Sequence, residues 1–455
     1  MQERNILPTF VKNVRFLYKY LEFVTMIREF WVENYYSIKE RQTLNFETKG
    51  SPDAFSSVDV TDKVRINKIA ILYGANASGK SNILFALQLI FRLLITPRSE
   101  RSEKVIGYMP FALLKGEPTN MGISFFVDAI RYDYEVSFNN DYILSETLNY
   151  YPNGSKSLFY KRDFLSENTA ASISFGQSIS IGKKTESIYI SNTLNNHTVL
   201  STFAKTSFEE SILLISNLYN WITKHVHDVN GDREDGVVSF ADTFKDICSN
   251  AKMKSFYLQM IKKADFNITD FHYEERTRTL SDNQKKLIQQ NTDFPESFKK
   301  FLLEGKTKDV LFTSKAGDKV FELDSSAQSS GTLSFIQRLR FLFDTITEKH
   351  IYFLDEPEED LHYDLFLFYL NAFLFNSSGS QIIMASHITS LLAEDLINEN
   401  RDLVFFVEKD SETATSKFIR GDKFGLHKNQ SLFNAYKIGR LGAKPELGSP
   451  FILAD

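Results

Sequence analysis

The chain has 455 residues, 42% of them hydrophobic and 24% charged, with a formal net charge of −5. That length has room for two or three domains at roughly 100–200 residues each. The mild acidity excludes a global pull toward nucleic acid, so any such contact needs a local basic face. The 41 Phe and 20 Tyr predict aromatic-rich cores, and the one cysteine, Cys248, excludes an intrachain disulfide. It reads as a core thiol in a reducing cytoplasm. The longest apolar run, Leu365 to Phe375, falls short of the ~20 residues of a membrane span.

In chain order, residues 1–25 mix apolar positions with Lys12, Arg15, Lys19 and Glu22, which denies them the continuous core of a secretory signal. They read either as an appended helix or as an upstream start ahead of Met26. "REFWVENY" and "QTLNFE" follow as two short strands around a turn. Asn34, Tyr35 and Tyr36 lie there, either as core or beside a bound base. "KIAILY" is an apolar run of strand length closed by glycine, and "KSNILFALQLIFRLL" has helical spacing. Residues 108–200 alternate aromatic and polar positions, with turn signals at Asn139-Asn140 and Asn153-Gly154. The texture turns helical over 206–305. The last third alternates again: "HIYFLDE", "YDLFLFYLNAFLF", "QIIMASH", "SLLAEDLI", "DLVFFVEKD". Strand–helix alternation of this kind predicts an α/β fold with a parallel sheet covered by helices. The basic stretch Arg420 to Glu446 reads as a solvated surface or as a local patch for nucleic acid or a partner.

"GANASGKS" fits G-x-x-x-x-G-K-[ST] with Gly74, Gly79, Lys80 and Ser81, between a predicted strand and a predicted helix. Backbone N–H groups at such a helix start converge on phosphate oxygens. The expected phosphate contacts are Gly74, Asn76, Ser78, Gly79, Lys80, Ser81 and Asn82. Lys80 would reach the β- and γ-phosphates of ATP, and the Ser81 hydroxyl would ligate Mg²⁺. A second acidic element is expected, and "HIYFLDEPEEDLH" supplies it. Asp355 would serve the magnesium shell, and Glu356 would polarise the attacking water. Glu358, Glu359 and Asp360 read as turn or surface acids.

The long separation between Lys80 and Asp355 does not suit a small GTPase. "SSAQSSGTLSFIQRL" runs a Ser/Gly-rich loop into a helix, a place where N–H groups can hold an anion. Ser329, Gly331 and Thr332 there resemble the signature loop of ABC-type ATPases. His387, after the strand in "QIIMASHITSLL", matches their switch histidine, which contacts the γ-phosphate.

From about Met26 to Pro445 the chain resembles the ABC-type ATPases related to the "overcoming lysogenization defect" proteins, in the standalone AAA-labelled group of bacterial abortive-infection and anti-phage systems. The matching stretches are "MIREFWVENYYSI", "GANASGKSN", "PFALL", "SSGT", "LDEPEEDLH", "ASHITSLL", "LVFFVEKD" and "AYKIGRLGAKP". The resemblance implies an ABC-type P-loop ATPase head. Lobe I would cover 26–205, with a β-rich subdomain, a helical insertion 206–305, and lobe II 306–455. It implies a homo-oligomer built from dimers that sandwich ATP, with Asp360, Leu361 and His362 along the interface. It also implies a separate nuclease-like effector, with a phage-derived trigger, as in a PARIS-like system. No Gln stands in the expected Q-loop position, and Tyr363 replaces the Pro common in related chains.

Two rivals compete with a sensor or scaffold role. In one the chain is itself a nuclease, with Glu408 of "FFVEKD" as a metal-binding acid; few residues follow, and no Asp-x-Asp pair is among them. In the other it is a DNA-repair ATPase resembling RecF or SMC-like proteins.

Overall fold

The computed structural model describes residues 25–49, 55–207, 213–228, 240–277, 280–291 and 306–445, with the single positions 295, 299 and 303. The expected extension 1–25 therefore lies outside the described residues except for Thr25. The chain divides into two units, the first drawn from 1–230, 345–357 and 374–455, the second from 231–344 and 358–373.

In the first unit, β1 (Met26–Glu33) pairs antiparallel with β2 (Gln42–Asn45), and β3 (Ser57–Thr61) pairs with β4 (Val64–Asn67). Strand β5 (Ile69–Tyr73) is buried at every position and passes through the 74–79 loop into helix α1 (Lys80–Ile95). A strand covered on both faces tolerates no polar alternation, which is why "IAILY" is continuous. Strands β6 (Thr119–Val127), β7 (Ile130–Phe138), β8 (Ile143–Tyr151), β9 (Ser157–Asp163) and β10 (Ser172–Phe175) complete an antiparallel sheet of order β10-β9-β8-β7-β6-β1-β2. Here the predicted alternation is realised, and Asn139 makes its turn by accepting the Asp141 and Tyr142 amides on Oδ1. Helices α2 (Lys183–Asn192) and α3 (Leu213–His225) follow, and α3 runs directly into the three-residue strand β11 (Val226–Asp228).

The second unit carries α4 (Phe240–Ser249), α5 (Ala251–Lys263), β12 (Ile268–Thr277), α6 (Asp282–Gln290), β13 (Lys306–Ala316) and β14 (Lys319–Asp324). Strands β12, β13 and β14 form an antiparallel sheet. Its core is aromatic: Phe244, Phe271 and Phe312 pack with ring centroids 5.2–6.2 Å apart. The stretch 206–305, read as a helical insertion, thus contains strand β12, while α3 and β11 belong to the first unit. Strand β12 escapes pattern reading because, among its described side chains at 268–275, only Ile268 and Phe271 are buried.

The chain continues through α7 (Ser330–Thr347), β15 (Ile351–Asp355), α8 (Tyr363–Asn376), β16 (Gln381–Ser386), α9 (Asp395–Glu399), β17 (Val404–Lys409), β18 (Ser416–Arg420) and α10 (Leu432–Lys437). The second sheet of the first unit has the order β11-β15-β16-β5-β17-β18, parallel except for the last pair. The strand before the glycine loop is thus central, and the strands ending in Asp355 and Ser386 lie on one side of it. Lys68, fully buried just ahead of β5, donates to the Leu374 and Ser377 carbonyls. A cation there satisfies carbonyls left open at the end of α8. Phe91 of α1 meets Phe125 and Phe353, and Phe125 stacks on Trp221, so the core is as aromatic as composition predicts. The result is a mixed α/β fold in which a glycine loop joins a central parallel strand to a helix.

Candidate nucleotide site

The loop after β5 leaves almost no room for side chains at its glycines. A Cβ on Gly74 would sit 2.4 Å from the Val407 carbonyl oxygen, and one on Gly79 would sit 2.4 Å from Ser416 Oγ and 2.8 Å from Ser37 Oγ. Gly79 also has φ +110°, a left-handed conformation that glycine adopts without steric cost. Between them, Asn76 is exposed and Ser78 is buried. Lys80, the first residue of α1, is buried and donates from Nζ to the Gly74 and Ala75 carbonyls at 3.0 and 3.1 Å. The ammonium is therefore folded over the concave side of its own loop. Ser81, next along α1, is half-buried.

A polar chain braces this loop from outside the motif. Asn82 Nδ2 donates to Ser37 Oγ at 2.8 Å; Ser37 Oγ lies 2.7 Å from Ser416 Oγ, which lies 2.6 Å from the Ser78 carbonyl. Ser37 and Ser416 were not among the residues expected at the site. They stand far from the motif in sequence, and two isolated serines carry no signal of their own. Of the aromatic turn after β1, Asn34 and Tyr35 are core. Asn34 donates from Nδ2 to the Glu117 and Pro118 carbonyls and accepts the Phe111 amide on Oδ1. Tyr36 is exposed, with its ring centroid 6.4 Å from that of Phe85 on α1.

Strand β15 ends in Asp355, whose Oδ1 is buried with no hydrogen-bond partner among the described residues. A buried carboxylate oxygen left in this way suits a cation or a water bound to one. The next residue, Glu356, has φ +50° and donates its amide to the Ala385 carbonyl of the adjacent strand. For a glutamate this left-handed backbone costs energy, of the order of 1–3 kcal/mol. It turns the side chain so that Oε1 lies 2.5 Å from His387 Nε2, and both side chains remain partly exposed. The structure thus brings Glu356 and His387 together at the ends of neighbouring strands. Gly74 through Asn82, Asp355, Glu356 and His387 all belong to the first unit.

In the second unit, Ser329 stands at the start of α7. Its Oγ accepts the Thr332 amide at 3.1 Å and lies 2.8 Å from Thr332 Oγ1, the arrangement of a serine cap. Gly331 faces the Asp360 carbonyl, which a Cβ would approach to 2.8 Å. Ser334 Oγ reaches Asp360 Oδ2, and Arg338 donates to the Glu359 carbonyl. Glu359 and Asp360 thus lie against the beginning of α7, and Glu358 is buried.

Glu408 is exposed on β17 and packs against Gly442 of the "GRLGAKP" stretch. It belongs to no cluster of three His, Cys, Asp or Glu ligands among the described residues. The basic stretch is not a uniform face. Arg420 is tied inward to the Asn45 and Glu47 carbonyls and to Asp422, and Lys444 donates to the Lys437 carbonyl. Cys248 is half-buried, and burial pushes its thiol pKa up.

Residues 69–393, well over half of the chain, match the family described as "AAA domain, putative AbiEii toxin, Type IV TA system". The chain belongs to this family. No curated protein matches it. Among solved structures it is similar to the Smc head bound to the C-winged helix domain of ScpA, at 15% identity over 90% of this chain and 99% of that one, with a TM-score of 0.36. It is also similar to the SMC head domain from Thermotoga maritima, at 12% identity over 87% and 98%, with a TM-score of 0.36. A third is the recombination mediator protein RecF with ATP, from the RecFOR pathway, at 15% identity over 87% and 98%, with a TM-score of 0.36. Family and phosphate loop together make this a nucleotide-binding protein of the ATPase class. No described helix is long and apolar enough to cross a membrane.

Proposed function

We propose that the chain is an ATP-hydrolysing sensor or scaffold that controls a separate effector in anti-phage defence. The observation that supports the hydrolytic part is the left-handed turn at Glu356, whose carboxylate meets His387 one residue after Asp355, an acid with a buried Oδ1 that has no hydrogen-bond partner among the described residues. Lys80 exchanges the Gly74 and Ala75 carbonyls for the β- and γ-phosphates, while the loop amides from Ser78 to Asn82 hold the remaining oxygens. Ser81 and Asp355 would hold Mg²⁺, which would supply neutralisation of the triphosphate charge. The γ-phosphate takes over the His387 hydrogen bond and frees Glu356. The freed carboxylate orients a water and accepts its proton as the water oxygen attacks phosphorus and the bond to ADP breaks.

Two protomers enclose the nucleotide, with Ser329, Gly331 and Thr332 of one completing the loop of the other. The family description supports a toxin as the controlled partner, and a phage-derived component is the expected trigger, as in a PARIS-like system. The test is a plaque assay with the gene and its genomic neighbour, alongside ATPase measurements on the purified protein. Protection that is lost in Glu356→Gln supports the reading. Hydrolysis stimulated by DNA, with no dependence on a neighbouring toxin, would favour the RecF-like repair alternative instead.

A further inference from the structure

A cluster of imidazoles lies at the opposite end of β15 from Asp355. Strands β11 and β15 run parallel, with Val226 beside Ile351 and His227 beside Tyr352. That register sets His225 and His350, each one residue before its strand, next to each other, and Glu348 lies two residues before His350. One ligand atom from each of His225, Glu348 and His350 lies within 4.8 Å of the other two.

The second nitrogen of each ring is already accounted for. His350 Nδ1 lies 2.8 Å from His227 Nε2, which leaves Nε2 facing Glu348 Oε2 at 3.9 Å. The His225 ring hydrogen-bonds the Lys349 backbone, and its Nδ1 is buried with no hydrogen-bond partner among the described residues. Trp221 stacks on His225 and Tyr352 on His227, so the rings are fixed in orientation. His350 is buried, with its Nε2 turned toward Glu348. A histidine held through one nitrogen and open at the other is the arrangement that metal sites use.

We infer that His225, Glu348 and His350 form a binding site for a divalent transition-metal ion of the zinc class, with His227 as the positioning residue behind His350. Imidazole nitrogens with one carboxylate suit zinc, nickel or cobalt far better than magnesium or calcium. Bonds of ~2.0–2.2 Å require the three ligand atoms to close by roughly an ångström from their present spacing. Side-chain rotation at Glu348, which is half exposed and currently held by Lys224 at 2.9 Å, supplies part of that closure. The ion would fasten the short edge strand β11 to β15. This site is independent of the nucleotide reading and stands or falls separately from it.

The test uses tag-free, chelator-stripped full-length protein without nucleotide, titrated with Co²⁺ and read by its visible d–d absorption, then back-titrated with Zn²⁺. Saturable absorption at about one ion per chain, displaced by zinc, is expected. Glu348→Gln, at an exposed position, and His225→Ala should each weaken binding at least tenfold. His227→Ala should cost roughly 10–100-fold, the range for a group that orients a ligand. Lys80→Ala should leave the absorption unchanged. Absence of saturable absorption in the unaltered protein overturns the inference, as does equal absorption in Glu348→Gln and His225→Ala.

Discussion

The phosphate loop and the serine-rich start of α7 are both glycine-containing turns into a helix, yet they are held in opposite ways. The phosphate loop is wedged against β17 and β18: Gly74 against the Val407 carbonyl, Gly79 against Ser416 and Ser37. Val407 and Ser416, the strand residues that meet it, are both buried. The start of α7 rests on one serine cap and on the Asp360 turn, and Ser329 is exposed. Strand β14, which leads into it, is exposed along nearly its whole length. One region is held by tight contacts at its glycines, and the other stands exposed on a single serine cap. In the proposed function the first supplies the phosphate contacts and the second is presented to a partner protomer.

The largest expected effect comes from removing the charge at the preformed end. Lys80→Ala should reduce ATP binding to background in calorimetric titration, with the fold intact by circular dichroism. Next, Glu356→Gln should slow phosphate release by roughly 10²–10⁴-fold while ATP stays bound. Light scattering with ATP should then report a trapped dimer, and rapid turnover by this variant would remove Glu356 from its role. Gly79→Ala sharpens the comparison on the stability side. A left-handed backbone and a contact at 2.4 Å should together lower unfolding free energy by about 1–3 kcal/mol, measured by urea denaturation. Ser329→Ala should cost less, about 0.5–2 kcal/mol of local helix stability, seen as faster amide exchange at Thr332. If Ser329→Ala proved as damaging to global stability as Gly79→Ala, the contrast between the two turns would fail.

The elements expected to hold phosphate and acid were legible because each couples a largely buried parallel strand to a polar loop. "IAILY" before Gly74 and "IYFLD" before Glu356 read the same way in sequence and in space. The pairing of Glu356 with His387 was not legible in sequence and arises where two neighbouring strands end side by side. The left-handed turn that produces it had no sequence mark, since Glu is an unusual residue there. The three-stranded sheet of the second unit was hidden because β12 and β14 bury few residues, leaving little alternation to read. Asn34 was open between core and base contact. Its dense bonding to carbonyls decides for core, and that bonding depends on a loop some eighty positions later. The imidazole cluster was invisible for a similar reason, because "HVH" and "EKH" meet only through the register of β11 with β15.

The serine relay from Asn82 through Ser37 and Ser416 to the Ser78 carbonyl has a practical consequence for anyone cutting this gene. The family match, 69–393, excludes both serines. A fragment trimmed to that match would keep Gly74 to Asn82, Asp355, Glu356 and His387 and lose the struts that brace the loop. The span that carries the family pattern is narrower here than the span that must be expressed together.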